Sequence, residues 1–230
     1  MKGGKEQKDN RTVMNIANSK SLALPDALVA QALAPFGLEP TPALADAMRQ
    51  YMELLLRWNR KISLTSITEP REILQRHFGE SMFAARAIPI VRGRLVDVGS
   101  GAGFPGLALK LVSPELQVTL IEPSQKKSAF LAEVVRTLAL TGVKIISRRI
   151  EDLRDYHGVA EFVTCRAVRA DKRLLAWCRG ALAVNGRCVL WLGLEGAQEL
   201  QKNAEWDWQP PIQIPMSSNR VLLVGKPFSR

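Results

Sequence analysis

Apolar positions along the chain follow two regimes, helical spacing before residue 90 and short continuous runs after it. Helical character begins at Leu24. Leu44, Ala47, Met48, Tyr51, Leu54, Leu55 and Trp58 then recur at the spacing of one helical face. Thr41 is placed to cap that helix, and Pro42 occupies its first turn, where a missing N–H costs nothing. A further helix starts at Glu69-Pro70, sets Ile73, Leu74, His77, Phe78 and Met82 on one face, and is ended by Pro89. Beyond it, apolar runs at 95–98, 118–121, 143–146, 162–164 and 188–192 alternate with helical patterns over 105–112, 125–140 and 171–183. Such alternation predicts an α/β fold, a doubly wound parallel sheet covered on both faces. Trp206, Trp208, a Pro-Pro pair and the run 220–224 predict two terminal antiparallel strands. The expected organisation is a flexible basic tail over 1–22, an N-terminal helical cap over 23–92 and the sheet-bearing core over 93–230.

With 230 residues, 47% of them hydrophobic, the chain has enough apolar material for one sizeable core and too much for global disorder. No apolar run approaches the roughly 20 residues that span a bilayer. The first twenty residues carry Lys2, Lys5, Lys8, Arg11 and Lys20 and no apolar signal core, so a cytoplasmic protein is expected. Cys165, Cys178 and Cys188 form no CxxC pair and lie far from His77 and His157, which argues against a disulfide framework or a zinc site and for core packing. The net charge of +10 favours a polyanionic partner, nucleic acid ahead of an acidic membrane surface.

The candidate chemistry lies at residues 95–106, where the apolar strand Leu95-Val96-Asp97-Val98 runs into Gly99-Ser100-Gly101-Ala102-Gly103-Phe104-Pro105-Gly106 and then a helix. Glycines there let the backbone turn sharply and approach a ligand without a Cβ in the way. The segment contains GxGxG at 99, 101 and 103 and also the dinucleotide pattern GxGxxG at 101, 103 and 106, so the loop alone does not choose a cofactor. Glu122 stands at the end of the next strand, about twenty residues on, where a carboxylate accepts hydrogen bonds from ribose hydroxyls. After the third strand, Ile150 and Glu151 fall beside the expected adenine pocket; their spacing equally fits a core residue and a helical-turn flank. Lys126 and Lys127, with Arg166 and Arg169, would line a phosphate track near the strand ends, or merely solvate a helix start. His77 sits on an apolar helical face and reads as a hydrogen-bonded structural histidine.

Arg57-Trp58-Asn59, Ile62-Ser63-Leu64-Thr65, Arg76-His77-Phe78-Gly79-Glu80-Ser81, the glycine loop, Glu122-Pro123-Ser124-Gln125-Lys126-Lys127 and Cys165-Arg166-Ala167 occur in that order. Together, over about residues 45 to 193, they resemble the ribosomal RNA small-subunit methyltransferase G family, also called glucose-inhibited division protein B. The resemblance implies a Rossmann-like class I methyltransferase sheet, S-adenosylmethionine as cofactor, and N7 of a guanine in 16S ribosomal RNA of the small ribosomal subunit as acceptor. It assigns the cofactor to the backbone at Gly99 and Phe104, to Glu122, Pro123 and Ser124 at the ribose, to Ile150 and Glu151 around adenine, and to Arg166. Ser63 stands where the family usually has Asn, which leaves the role of residues 58–65 open.

Guanine N7 carries an in-plane lone pair and needs no deprotonation, so no catalytic acid or base and no metal is expected, only positioning. A monomer is expected. Two other readings fit parts of the same sequence: a nicotinamide-dependent dehydrogenase using Gly101, Gly103 and Gly106, and a non-catalytic RNA-binding protein with a vestigial cofactor fold.

Overall fold

The computed structural model of the chain describes residues 24–153, 156–166 and 170–228. The N-terminal part is helical, with α1 (Asp26–Leu33), a 3₁₀ turn (Ala34–Phe36), α2 (Pro42–Asn59), α3 (Pro70–Glu72), a π-helical segment (Ile73–Gly79) and α4 (Glu80–Ala87). The alternating part follows as β1 (Arg92–Val98), α5 (Gly106–Val112), β2 (Glu115–Ile121), α6 (Gln125–Thr137) and β3 (Val143–Ile146). It continues with β4 (Ala160–Arg166), α7 (Lys172–Ala181), β5 (Leu182–Gly193), α8 (Leu194–Gln201), β6 (Trp206–Trp208), β7 (Ile212–Gln213) and β8 (Arg220–Pro227). The strands form one sheet in the order β3-β2-β1-β4-β5-β8-β6, with β7 also paired to β8. β1 to β5 are parallel, and β8 runs antiparallel to β5, β6 and β7. The chain direction across the sheet reverses between β1 and β4, so a ligand crevice opens at the carboxyl ends of those two strands.

Side chains of β1 alternate between two cores. Leu95 joins the core shared with α2, α5 and α6 through Met48, Tyr51, Leu107, Phe130 and Leu131. Val96 and Val98 join the opposite core, with Leu174, Leu175 and Cys178 of α7 and Ala197 of α8. The N-terminal helices therefore close one face of the sheet within the same apolar core as α5 and α6. All three cysteines are buried in the second core, as small apolar fillers. Among the described residues no helix is long and apolar enough to cross a membrane.

Local signals account for several boundaries. The Thr41 hydroxyl accepts from Leu44 N at 3.2 Å, capping α2. Thr41→Ala is expected to cost about 1 kcal/mol of stability, read as the shift in denaturant midpoint. Asp171 is the cap of α7 rather than its first residue, taking the N–H groups of Arg173 and Leu174. α6 ends at Thr137, three residues before the expected Leu140, because the backbone turns to φ +48° at Ala139. The stretch 73–79, expected as ordinary helix, is π-helical, and its Gly79 packs under the Phe36 ring with no room for a Cβ. Two terminal strands were expected; three are present, preceded by α8. The basic tail over 1–22 lies outside the described residues.

Candidate functional site

The glycine loop leaves β1 at its carboxyl end and is tied back to β2. Gly99 N and Ser100 N both donate to Ile121 O, at 2.8 and 3.1 Å. The carboxylate of Glu122, 5% exposed, spans the turn between the two strands. Its Oε2 accepts from Gly101 N and its Oε1 from Ser124 N, each at 2.9 Å. Each oxygen retains a second acceptor position, the equipment a ribose hydroxyl needs. Gly101, at φ +55°, faces open space; a Cβ there would meet only Gly99 O, at 3.7 Å. Ser124 caps α6 through Lys127 N.

The loop is held from below by Asp97, which is fully buried. Asp97 is in register with Thr164 on β4, and the Thr164 hydroxyl donates to its Oδ1 at 2.8 Å. Gly106 N donates to its Oδ2 at 3.3 Å, joining β1, β4 and the start of α5. Burial pushes the Asp97 carboxyl up to about 7, against hydrogen bonds from Thr164, Ser100 and Gly106 and the Arg166 charge, which all favour the anion. The unfolded chain releases this proton near pH 4. The folded state therefore binds more protons between about pH 4 and 7, and this contribution to stability is lost as pH rises through that window. Melting temperatures measured at about pH 5 and pH 7.5 are expected to fall more in the wild type than in Asp97→Asn. Equal falls would show Asp97 ionised throughout.

From the helical side, the Tyr51 hydroxyl donates to Ala102 O at 2.6 Å. The Phe104 ring stacks on Tyr51 and on His77, with centroids 5.2 and 4.9 Å apart. Phe104 thus fastens the loop to the helices by its side chain, and only its backbone is left for a ligand. His77 Nε2 lies 2.7 Å from the Thr65 hydroxyl. Burial, then the charges of Arg166 and Arg76, lower its pKa to about 3, so the ring is neutral and built into the packing. Asn59 closes the segment 59–65: its Oδ1 accepts from Leu64 N and Thr65 N, and its Nδ2 donates to Thr65 O. That segment positions Thr65, and through it His77.

Ile150 and Glu151 lie in a 3₁₀ turn (Ile150–Asp152) after β3; Ile150 packs on the second core and Glu151 is exposed. Pro123 and Lys126 are exposed beside Glu122, and Lys126 and Lys127 occupy the first turn of α6. Arg169 lies outside the described residues. Arg166, at the end of β4, turns its guanidinium to Glu80 Oε2 at 3.1 Å, Ser81 Oγ at 3.0 Å and Arg76 O at 2.5 Å. Burial lowers its pKa to about 10, with Glu80 opposing, so it stays charged.

Sequence reasoning assigned no role to Asp97, Thr164, Tyr51 or Glu80. An acid inside an apolar strand was a legible sign for Asp97. Tyr51 is indistinguishable in sequence from its core neighbours on α2.

A family model described as rRNA small subunit methyltransferase G matches residues 44–210. A ribosomal RNA small subunit methyltransferase G from Mycoplasma capricolum is 34% identical over 158 residues, 69% of this chain and 68% of the relative. The protein of the same name from Halorhodospira halophila is 38% identical over 164 residues, 71% and 76% of the two chains. Among solved structures, a mutant of MtNAS in complex with S-adenosylmethionine superposes with a TM-score of 0.56 at 15% identity, covering 81% of this chain and 78% of that one. The YcgJ protein from Bacillus subtilis gives 0.54 at 15% identity, covering 66% of this chain and all of that one. These two likenesses concern the fold.

Proposed function

The chain belongs to the ribosomal RNA small subunit methyltransferase G family, and from that membership we propose that it transfers a methyl group from S-adenosylmethionine to N7 of one guanine in 16S ribosomal RNA. The observation that carries the reading is the carboxylate of Glu122 holding Gly101 N beside open space at the carboxyl end of β1. A ribose needs an acceptor pair of this kind, and a cofactor backbone needs the missing Cβ.

In this reading Gly99 and Phe104 bind the cofactor through their backbone, Glu122, Pro123 and Ser124 hold its ribose, Ile150 and Glu151 flank its adenine, and Arg166 completes the pocket. Lys126, Lys127 and Arg169 contact RNA phosphates. S-adenosylmethionine, when bound, supplies an electrophilic methyl on a sulfonium. The protein's own contribution is orientation: the loop is pinned by contacts within the protein to Asp97, Tyr51 and Glu122, so little is lost to ordering it. Guanine N7 is nucleophilic as it stands, and the neutral His77, engaged with Thr65, acts in packing. In A-form RNA N7 lies in a deep, narrow groove, so the accessible target is a loop or distorted element presented by the folded subunit.

N7 methylation makes guanine cationic and its glycosidic bond labile after reduction. Borohydride reduction followed by aniline scission of 16S ribosomal RNA treated with the protein is expected to cut at one guanine. Methyl incorporation without such a cut would place the methyl on another atom.

A further inference from the structure

Glu80 is nearly fully buried and carries three arginines, Arg76 one helical turn before it and Arg166 and Arg220 from distant parts of the chain. Arg166 Nη2 lies 3.1 Å from its Oε2, Arg220 Nη2 and Nε lie 2.7 and 2.9 Å from its Oε1, and Arg76 Nε lies 3.2 Å from the same Oε1. Trp191 Nε1 donates to the Glu80 backbone carbonyl at 2.9 Å, so the hub is fixed from behind. One carboxylate thus faces three guanidinium groups. Besides Glu80, Glu72, half exposed, lies 3.5 Å from Arg76 Nη1, and Asp97, whose carboxyl burial pushes up to about 7, acts on Arg166 through its charge. Arg76 Nε is buried and within ion-pair distance of Glu80 yet lacks hydrogen-bond geometry, so a buried donor is unsatisfied.

This excess charge is reachable: the side chains of Arg76 and Arg220 are 38% and 34% exposed. It also sits beside the crevice. Arg166 ends β4, Arg220 begins β8 opposite Gly193 at the end of β5, and His77, next to Arg76, stacks on Phe104 of the glycine loop. We propose that Arg76 and Arg220, drawn together on Oε1 of Glu80, bind a backbone phosphodiester of the substrate RNA and so set the target guanine over the crevice. Guanidinium forks suit a phosphodiester, and a single carboxylate shared among three of them leaves N–H groups for it. The inference rests on small-subunit ribosomal RNA being the substrate.

The test uses the full chain, small ribosomal subunits lacking their own N7 methylation, and S-adenosylmethionine. In Arg220→Gln, Glu80 keeps Arg76 and Arg166, and the melting temperature is expected to stay within a few degrees. Its affinity for subunits is expected to fall about tenfold. The slope of log affinity against log salt is expected to shrink by about one, with the affinity for S-adenosylmethionine unchanged. Arg76→Gln should behave alike. Arg94→Gln, which removes one exposed arginine from the amino-terminal half of β1, should leave the slope as it is. The proposal is overturned if the cofactor affinity falls and the salt slope does not, which would give the arginines to the cofactor carboxylate. It is also overturned if a folded Arg220→Gln changes neither quantity, or if Arg94→Gln changes the slope equally. A wild type without steep salt dependence on subunits removes the substrate reading as well; a normal wild type with an unchanged variant removes only this site.

Discussion

Glu122→Ala is expected to weaken S-adenosylmethionine binding about a hundredfold, measured by isothermal titration. The carboxylate accepts two backbone N–H groups, from Gly101 and Ser124, and offers its remaining positions to the ribose. Hydrogen bonds to a charged group contribute about 1.5–3 kcal/mol each, so losing the ribose contact and loosening the loop amounts to about 3 kcal/mol. Glu122→Gln does not restore the site. An amide has one acceptor atom, and its NH₂ would confront one of the two N–H donors. The glutamine variant is therefore expected to bind closer to alanine than to wild type. An alanine variant that binds within threefold of wild type would take Glu122 out of the cofactor site.

The second large effect is on stability. Gly103 sits at φ +86°, and a Cβ there would overlap the Tyr51 hydroxyl and come within 2.8 Å of Leu107 Cδ1. Because Tyr51 is wholly buried and already bonded to Ala102 O, it has no free rotamer to retreat into. Gly103→Ala is expected to cost about 3 kcal/mol or more, lowering the melting temperature by roughly 10 °C. Tyr51→Phe alone leaves the Ala102 carbonyl without its donor and costs about 1–2 kcal/mol. It also removes the atom that the new methyl strikes, so the double variant is expected to be more stable than the sum of the single losses by about 1 kcal/mol. Denaturant titration of the four proteins gives the coupling. Strict additivity would mean that the loop moves freely away from α2.

The parts of the fold that were legible are those where local chemistry and tertiary role coincide. The strand at 143–146 has the expected limits, and β1, the glycines and Glu122 stand out because an apolar run, a turn and a strand-end acid follow one another directly. β5 extends back to Leu182, beyond the expected start at 188, since Asn185-Gly186-Arg187 interrupts its apolar run. α8 buries only Ala197 and contains Gly196, which leaves almost no periodic signal. The Glu80 cluster was out of reach for another reason. Its partners lie 86 and 140 residues away in sequence, and only the sheet order brings the ends of β4 and β8 beside one helix. The residues around the glycine loop divide in the same way: Glu122 is recognisable by its offset from the loop, while Asp97, Tyr51 and Thr164 support that loop through contacts that no spacing rule describes.

The most direct test is transfer of labelled methyl from S-adenosylmethionine to small ribosomal subunits that lack their own N7 methylation. The account predicts label on a single guanine of 16S ribosomal RNA, lost with Glu122→Ala. Tight binding to those subunits without any methyl transfer would contradict it, and would make the protein an RNA-binding relative that has kept the fold and not the reaction.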